Sequence, residues 1–330
     1  MSVLVTGGGG YIGSHMVWHL TDAGEDVIVL DNFSTGFDWA VPPEARIVAG
    51  DCADEVLLAR IFAEDRIDAI IHFAGSLIVP ESVAEPLRYY LNNTVKSRAL
   101  IESAVKAGVP HIIFSSTAAV YGTPAVFPVP EDAPLAPESP YGRSKLMTEM
   151  MLADASAAHG FSYAALRYFN VAGADPKGRT GESTRGATHL IKVACEAALG
   201  KRAGMTVFGT DYPTADGTCI RDYIHVTDLV AAHGDALRHL RERGGNLVVN
   251  CGYGRGFSVL EVIDTVKRVS GNDFAVTYGK RRPGDPTAVV ASPELITTRL
   301  GWRPRHDDLA HIIGNALAWE SALGRRNQLD

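Results

Sequence analysis

The chain lacks any run of about 18 apolar residues that could cross a membrane, and it lacks an excess of basic residues. With 31 Lys and Arg against 38 Asp and Glu, its net charge is −7, which argues against a nucleic-acid-binding protein. Cysteine is scarce and forms no Cys-x-x-Cys pair, which argues against a zinc or other metal site and for reduced, mostly buried thiols. The cysteines are Cys52, Cys195, Cys219 and Cys251.

No basic region or cleavage signal precedes the first apolar run, because residues 3–5 already read as the beginning of a strand. We therefore expect a cytoplasmic protein with neither a membrane nor a nucleic acid as its partner.

The sequence does contain a regular alternation of short apolar runs and amphipathic stretches over its first half. Near-continuous Val, Ile and Leu runs are typical of parallel strands that are covered on both faces. The runs predict strands at Ser2–Thr6, Asp26–Leu30, Arg46–Ala49, Ala69–Phe73, His111–Ser115 and Ser162–Tyr168. The stretches predict helices near Ile12–Ala23, Glu55–Ala63, Leu87–Ala107 and Tyr141–His159. This order predicts an α/β fold with a Rossmann-like, doubly wound parallel sheet.

The pattern changes after Asn170, where Gly, Thr, Asp and Pro become frequent in two long loops. Further helices are predicted at Ala187–Leu199, Val226–Arg243, Val259–Val269 and Asp307–Leu323, with a strand at Leu247–Asn250. We predict a dinucleotide-binding domain over residues 1–170, with a return to it near 222–250. A smaller α/β substrate domain over 171–330 is interleaved with it.

A G-x-x-G-x-x-G pattern, Gly7, Gly10 and Gly13, lies between the first strand and the first helix. Glycines there allow a tight turn and a close approach to a pyrophosphate, which the helix N-terminus attracts. Asp31 follows 18 residues after Gly13, at the end of the second strand. A carboxylate there can accept hydrogen bonds from ribose hydroxyls and would repel a 2′-phosphate, so NAD is favoured over NADP. The alternative is a glycine-rich turn with a surface Asp.

Tyr141 and Lys145 are four residues apart and therefore share one face of a predicted helix. A phenol beside an ammonium and an oxidised nicotinamide is a general base for alcohol oxidation, and we expect its pKa to fall toward neutrality. Thr117 and, less strongly, Ser115 end a strand at the carboxyl edge of the sheet, where ligands bind. For each residue a structural role in packing, capping or a turn is the alternative.

These motifs resemble the UDP-glucose 4-epimerases of the extended short-chain dehydrogenase/reductase superfamily. The resemblance runs from about Val3 to about Trp319. It rests on TGGGGYIGSH from Thr6, LDNFS from Leu30, HFAG from His72, SSTAAVYG from Ser115, SPYGRSK from Ser139, RYFN from Arg167, RDYIHV from Arg221 and RRPGD from Arg281.

The resemblance implies an isomerase in which Tyr141, Lys145 and Thr117 oxidise and re-reduce C4 of a UDP-hexose with retained NAD. It further implies a set of cofactor contacts. These are Gly7, Gly10, Tyr11, Ile12, Gly13, Asp31, Asn32, Asp51, Cys52, Phe73, Ala74, Gly75, Asn92, Ser115, Tyr141, Lys145 and Tyr168. The implied contacts to the nucleotide sugar are Thr117, Tyr141, Asn170, His189, Leu190, Phe208, Arg221, Tyr223, Arg282, Asp285 and Val289.

Three positions discriminate within this resemblance. Ala118 and Ala119 stand where dehydratase relatives carry an Asp-Glu acid pair, and methyl groups cannot transfer protons. Leu77 stands where some epimerases have a Lys that reaches the cofactor phosphates. Val289 stands where a bulky aromatic tends to exclude N-acetylated sugars, so UDP-GlcNAc and UDP-GalNAc become candidate substrates.

The alternatives are a UDP-pentose or UDP-uronate 4-epimerase and a net NAD-dependent nucleotide-sugar dehydrogenase or reductase. The resemblance also implies a homodimer that is formed through the helices near 87–107 and 141–159.

Overall fold

The structure is a computed structural model that describes residues 1–282 and 284–326. Pro283 of the RRPGD motif and residues 327–330 of the predicted second domain lie outside the described residues. The strands are β1 (Ser2–Thr6), β2 (Asp26–Asp31), β3 (Arg46–Ala49), β4 (Ile67–His72), β5 (His111–Thr117), β6 (Ser162–Tyr168), β7 (Asn170–Ala172), β8 (Gly204–Phe208), β9 (Ile220–His225), β10 (Leu247–Cys251), β11 (Gly256–Ser258), β12 (Ala275–Gly279) and β13 (Ala288–Val289).

The α-helices alternate with these strands. They are α1 (Tyr11–Asp22), α2 (Glu55–Glu64), α3 (Val79–Ala84), α4 (Pro86–Tyr89), α5 (Lys96–Ala107), α6 (Pro140–His159), α7 (Leu190–Ala198), α8 (Val226–Arg243), α9 (Val259–Ser270), α10 (Glu294–Leu300) and α11 (Leu309–Arg326). No helix in the described ranges is long and apolar enough to cross a membrane.

The central sheet has seven parallel strands in the order β10-β6-β5-β4-β1-β2-β3. Helices α1 and α8 cover one face through a core that includes Met16, Leu20 and Leu237. Helices α2, α5 and α6 cover the other through Leu58, Leu100 and Leu152. Both faces are therefore buried, and the predicted doubly wound α/β fold is confirmed.

The direction of strand order reverses at β1, because β2 and β3 lie on one side of it and β4, β5 and β6 on the other. The last residues of five strands, Thr6, Asp31, His72, Thr117 and Tyr168, consequently meet at one carboxyl edge. Doubly wound sheets bind ligands at this edge, next to the point of reversal.

The residues after β6 build a second, smaller core. Strands β7, β11 and β13 all pair with β9, and β8 pairs with β12. Helices α7, α9 and α11 pack together around Cys195, Ile263 and Ile312. These six strands were not predicted, because they have only two to six residues and do not form long apolar runs like those of the central sheet.

The single helix predicted at 87–107 is wrong in its bounds and in its regularity. The chain forms α3 and α4, then a π-helical turn at Tyr90–Val95, and only then α5. The wide turn places Asn93 in the interior, where its amide contacts Ser76 and Ser144. A π-turn inside a helix is often found at a functional site. The four cysteines are free and buried, as predicted.

Candidate active site

The loop between β1 and α1 requires glycine at two of the predicted positions. Gly7 has φ +72°, and a Cβ there would lie 2.6 Å from the backbone nitrogen of Ala74. A Cβ on Gly13 would lie 2.0 Å from the carbonyl oxygen of Gly7. Gly10 precedes α1 without a side-chain cap, so within the described chain the first N–H groups of α1 are available to an anion.

Asp31 holds this loop from the end of β2. Its carboxylate accepts hydrogen bonds from the N–H groups of Gly9 and Phe33, both at 2.8 Å. Each carboxylate oxygen retains a lone pair, so the group can also accept a hydrogen bond from a ribose hydroxyl. Asn32 is exposed beside it and accepts from the N–H of Ser34.

The other predicted cofactor residues follow the neighbouring strands. Asp51 follows β3 and pairs with Lys96 at 2.5 Å, and Cys52 beside it is buried. The segment Phe73–Gly75 follows β4 and lies against the glycine loop. Asn92 donates to the hydroxyl of Ser76. The buried Asn93, which was not predicted, holds the backbone of Ser76 at 2.7 Å and fixes this edge to α6.

The three predicted catalytic residues lie where β5 and α6 meet: Thr117 ends β5, and Tyr141 and Lys145 belong to α6. Ser139 caps α6 by accepting from the N–H of Gly142 at 3.1 Å, which sets Tyr141 in the first turn. The Lys145 ammonium donates to the carbonyl of Ser115 at 3.0 Å, and the Thr117 hydroxyl forms a hydrogen bond with the Tyr141 phenol.

Burial dominates the protonation of this cluster in the protein alone. It raises the pKa of Tyr141 above its ordinary value, and the hydrogen bond from Thr117 only partly opposes this effect. Burial also lowers the pKa of Lys145 to about 8. The predicted fall in the Tyr141 pKa is therefore not a property of these residues by themselves. The prediction included the positive charge of an oxidised nicotinamide, so for the enzyme with its cofactor bound it stays a prediction.

A buried polar network joins β5, β6 and α6 next to this cluster. Ser116 and Arg167 both bond to Glu149, and Arg167 donates its Nη2–H to the carboxylate at 2.6 Å. Ser115 and Tyr168 share a hydrogen bond of 2.7 Å next to it. Glu149 was not predicted, although its position four residues after Lys145 on α6 places it on the same helix face.

The predicted nucleotide-sugar residues form a second cluster around β9. Arg221 pairs with Asp285, and the Arg282 guanidinium stacks on the Phe208 ring at 4.1 Å. Asp285, predicted as a ribose acceptor, is therefore also the ion-pair partner of an arginine. Tyr223 is buried in β9, where Asn170 of β7 is its register partner.

Strand β13 connects the two clusters. Val289 pairs in register with Arg221 and packs with Ala118, Phe169 and Ala291. The residue predicted to limit the sugar thus contacts the turn that follows Thr117.

At the start of α7, His189 Nδ1 lies 2.5 Å from a carboxylate oxygen of Glu182, and Leu190 is the first helical residue. Burial acts to lower the His189 pKa, but the charge of Glu182 and its hydrogen bond to His189 together outweigh burial, and the pKa is raised. Glu182 was not predicted as the partner of His189, because the two residues lie seven positions apart in a loop and no sequence pattern indicates that they are in contact.

Three histidines outside these clusters, His225, His306 and His311, place one nitrogen each within 4.8 Å of one another. One nitrogen of each ring bonds within the protein, whereas the buried Nε2 of His225 has no hydrogen-bond partner among the described residues. His225 Nδ1 accepts from the N–H of Thr227 at 3.0 Å, so its Nε2 carries the proton in the neutral ring. His306 and His311 share a hydrogen bond of 2.9 Å.

The doubly wound sheet and the Tyr–Lys–Thr cluster at its carboxyl edge define a dinucleotide-dependent enzyme that acts on an alcohol or a ketone. The chain belongs to the NAD dependent epimerase/dehydratase family, whose profile matches residues 3–252.

Its relatives are similar over almost the whole length. A UDP-glucose 4-epimerase of Azospirillum brasilense is 56% identical over 97% of this chain and 92% of that protein. The crystal structure of UDP-glucose 4-epimerase from Brucella ovis in complex with NAD has a TM-score of 0.93 at 45% identity, covering 96% of this chain and 97% of that one. The UDP-Glc/GlcNAc 4-epimerase of Campylobacter jejuni has a TM-score of 0.85 at 46% identity, covering 97% and 99%.

Proposed function

We propose that this protein interconverts UDP-glucose and UDP-galactose by oxidising and re-reducing C4 of the sugar with NAD. The observation that carries the proposal is the meeting of Thr117, Tyr141 and Lys145 beside the glycine loop, with Ala118 and Ala119 as the next residues. This set can move a proton and permit hydride transfer at one carbon, and it has no acid pair for eliminating water.

The residues fit the cofactor. The uncapped N-terminus of α1 and the close approach of Gly7 to Ala74 suit a pyrophosphate, and the Asp31 carboxylate suits an adenosine ribose. When bound, NAD takes up the C4 hydride and returns it. The cofactor contacts are those proposed from the resemblance, with Lys145 near the nicotinamide ribose and Tyr168 at the nicotinamide.

Tyr141 acts on the 4-hydroxyl of the sugar. Its phenolate accepts the hydroxyl proton as the C4 hydride leaves, so a 4-keto sugar forms. Thr117, which is hydrogen-bonded to Tyr141, positions the 4-hydroxyl of the sugar. After the keto sugar has turned about its pyrophosphate link, Tyr141 would give the proton back to the oxygen as C4 is reduced from the opposite face. Lys145 stabilises the phenolate electrostatically, because its pKa of about 8 leaves it mostly charged at neutral pH.

The uridine diphosphate is held on the β9 side. Arg221 and Arg282 offer planar donor forks to the diphosphate, and Asp285 offers an acceptor to the ribose. Phe208, 37% exposed, presents a ring face that suits the uracil. Asn170, His189, Leu190 and Tyr223 complete this proposed surface.

The test is to incubate the purified protein with UDP-galactose, without added NAD, and to follow UDP-glucose by chromatography. We expect product from the native protein and a loss of about 10²–10⁴-fold with Tyr141→Phe. No product even with added NAD would contradict the hexose assignment and favour a UDP-pentose or UDP-uronate. A lasting rise in absorbance of reduced nicotinamide would instead indicate a net dehydrogenase.

A wider sugar range has one specific observation in its favour. Val289 is small and packs with Ala118, Phe169 and Ala291, and we infer that it leaves more room for an N-acetyl group at C2 than a bulky aromatic residue would. We expect turnover of UDP-GalNAc, and we expect Val289→Tyr to remove it while UDP-galactose turnover persists. No native UDP-GalNAc turnover beside robust UDP-galactose turnover would rule out this range.

We also propose a homodimer in the cytoplasm. Helices α4, α5 and α6 and the π-turn lie side by side. They leave five apolar side chains exposed by 41–81%, namely Leu87, Leu91, Val95, Met147 and Met150. Such a contiguous apolar surface is typical of an interface. Light scattering should give twice the chain mass, reduced by Leu91→Glu, whereas a monomeric native mass would contradict the dimer.

A further inference from the structure

The chain between β7 and α7 folds back over α1 as a closed turn. Ala174 and Gly181 form an antiparallel bridge, and the N–H of Asp175 donates to the carbonyl of Thr180 at 3.0 Å. Inside the turn, the Arg179 guanidinium donates to both carboxylate oxygens of Asp175, at 2.8 and 3.0 Å. The turn is therefore ordered by its own bonds. We call residues 173–184 the cover segment.

The cover segment is attached to α1 from the first turn to the last. The Tyr11 hydroxyl donates to the carbonyl of Gly173 at 2.7 Å. The hydroxyls of Ser14 and Thr180 share a bond of 2.8 Å, and both residues are fully buried. Arg179 reaches Asp22 at 2.9 Å near the other end of the helix. These bonds join the substrate-side half of the chain to the helix whose N-terminus faces the cofactor.

The far end of the cover segment reaches the glycine loop itself. Gly181 lies so close to the Trp319 indole that a Cβ would be 2.4 Å from the ring. Beyond it, Ser183 and Thr184 line one small cavity together with Gly9 and Gly10. Two hydroxyl side chains from the second half of the chain thus face the outer side of the phosphate-binding loop.

We infer that the cover segment is part of the cofactor site and retains bound NAD between turnovers. The inference rests on the proposed binding of NAD at the glycine loop. The cofactor is regenerated in each cycle, so the reaction does not require its release. A cover segment that is bonded to α1 and lines a cavity with Gly9 and Gly10 would oppose that release by holding the glycine loop in place. Such retention also suits a chain that has Leu77 where a lysine could bind the cofactor phosphates. The phenol of Tyr11 is committed to Gly173, which leaves its backbone N–H for the pyrophosphate.

The test compares Thr180→Val, which keeps the shape of the side chain but cannot bond to Ser14, with Lys177→Ala as the matched control. Lys177 belongs to the same turn, but its side chain is 68% exposed, so its ion pair with Asp22 of α1, at 3.3 Å, should contribute little to the attachment. Labelled NAD is loaded onto each full-length protein and chased with excess unlabelled NAD. We expect release to be about tenfold faster from Thr180→Val and unchanged from Lys177→Ala. Equal release from the native protein and Thr180→Val would overturn the inference.

A second measurement needs no variant and covers the case in which Thr180→Val does not fold. Amide hydrogen exchange of residues 173–184 is followed in the native protein with and without saturating NAD. Slower exchange with NAD supports the inference, and unchanged exchange in a protein that demonstrably binds NAD overturns it. Both measurements use NAD without a sugar, so their results do not depend on which sugar is the substrate. A wrong sugar assignment would be detected only in the separate epimerisation assay. Failure of NAD to bind at all would instead contradict the proposed function.

Discussion

Two arginine–carboxylate pairs differ in how completely the protein surrounds them. Arg167 and Glu149, below the catalytic cluster, have side chains exposed by only 5% and 6%. Arg167 also donates to the Tyr121 hydroxyl and the Glu131 carbonyl. Arg221 and Asp285, near β9, are exposed by 14% and 26%, and the one further acceptor of Arg221 among the described residues is the neighbouring carbonyl of Ile220. The saturated pair belongs to the scaffold, whereas the open pair can exchange its partner for a ligand phosphate.

The largest effect should come from breaking the saturated pair. Arg167→Met leaves Glu149 as an unpaired buried charge, so the free energy of unfolding should fall by about 3–5 kcal/mol. Arg221→Met should cost at most about 1 kcal/mol of stability, because the pair is partly solvated. Urea unfolding measures both. Adding Glu149→Gln to Arg167→Met should recover part of the loss, and equal losses for the two single variants would contradict the distinction.

A substitution at Thr117 tests the proposed catalytic cluster, which the Arg167–Glu149 pair supports. Thr117→Val removes the hydroxyl that bonds to Tyr141, and we expect kcat to fall about 10²-fold with little change in KM. Thr117→Ser should restore most of the rate, because it returns the hydroxyl. If Ser and Val lower kcat equally, Thr117 has a packing role rather than a chemical one.

A buried histidine makes stability depend on pH. His72 bonds to Thr6 and Ser97, and burial, with a smaller effect of the Lys145 charge, lowers its pKa to about 3. The unfolded chain binds a proton below about pH 6.5 and the folded chain does not. The stabilisation is therefore complete above pH 6.5 and is lost as pH falls toward 3.

His72→Gln, which cannot titrate, isolates this effect. Between pH 7.5 and pH 5 the native protein should lose about 2 kcal/mol more stability than the variant, as measured by urea unfolding at each pH. Equal losses would mean that His72 is already protonated or solvent-accessible in the folded state. His225 in the second half has a pKa that burial likewise lowers to about 3, so His225→Gln should behave alike.

The smallest effect on activity should come from a surface residue near the Arg221–Asp285 pair. Arg282→Ala should raise the KM for UDP-galactose about tenfold and leave kcat nearly unchanged, because it removes a side chain that we propose as a charged donor to the diphosphate. Arg281→Ala is the matched control, since Arg281 stacks on Tyr212 at 4.0 Å and pairs with Asp211 instead. A similar rise in KM for both variants would indicate a general loss of positive charge rather than a specific contact.

The residues up to β6 and the residues after it also differ in how well their structure and site residues could be predicted. In the first half, a local motif is sufficient: Gly7 and Gly13 require backbone approaches that exclude a Cβ, and Tyr141 and Lys145 share a helix face by spacing alone. In the second half the predicted residues come from the resemblance, because the short, half-exposed strands carry no periodic signal. Glu149 lay within reach of the spacing argument, whereas Glu182 beside His189 did not.

Periodicity and short motifs were sufficient to predict the doubly wound sheet, the glycine loop and the shared helix face of Tyr141 and Lys145. The interior position of Asn93 in a π-turn, the Arg221–Asp285 pair and the bond between Thr180 and Ser14 became apparent only in the folded chain. The difference lies in sequence separation. These contacts join residues 51 to 166 positions apart, and they depend on how whole elements pack rather than on any local preference of the chain.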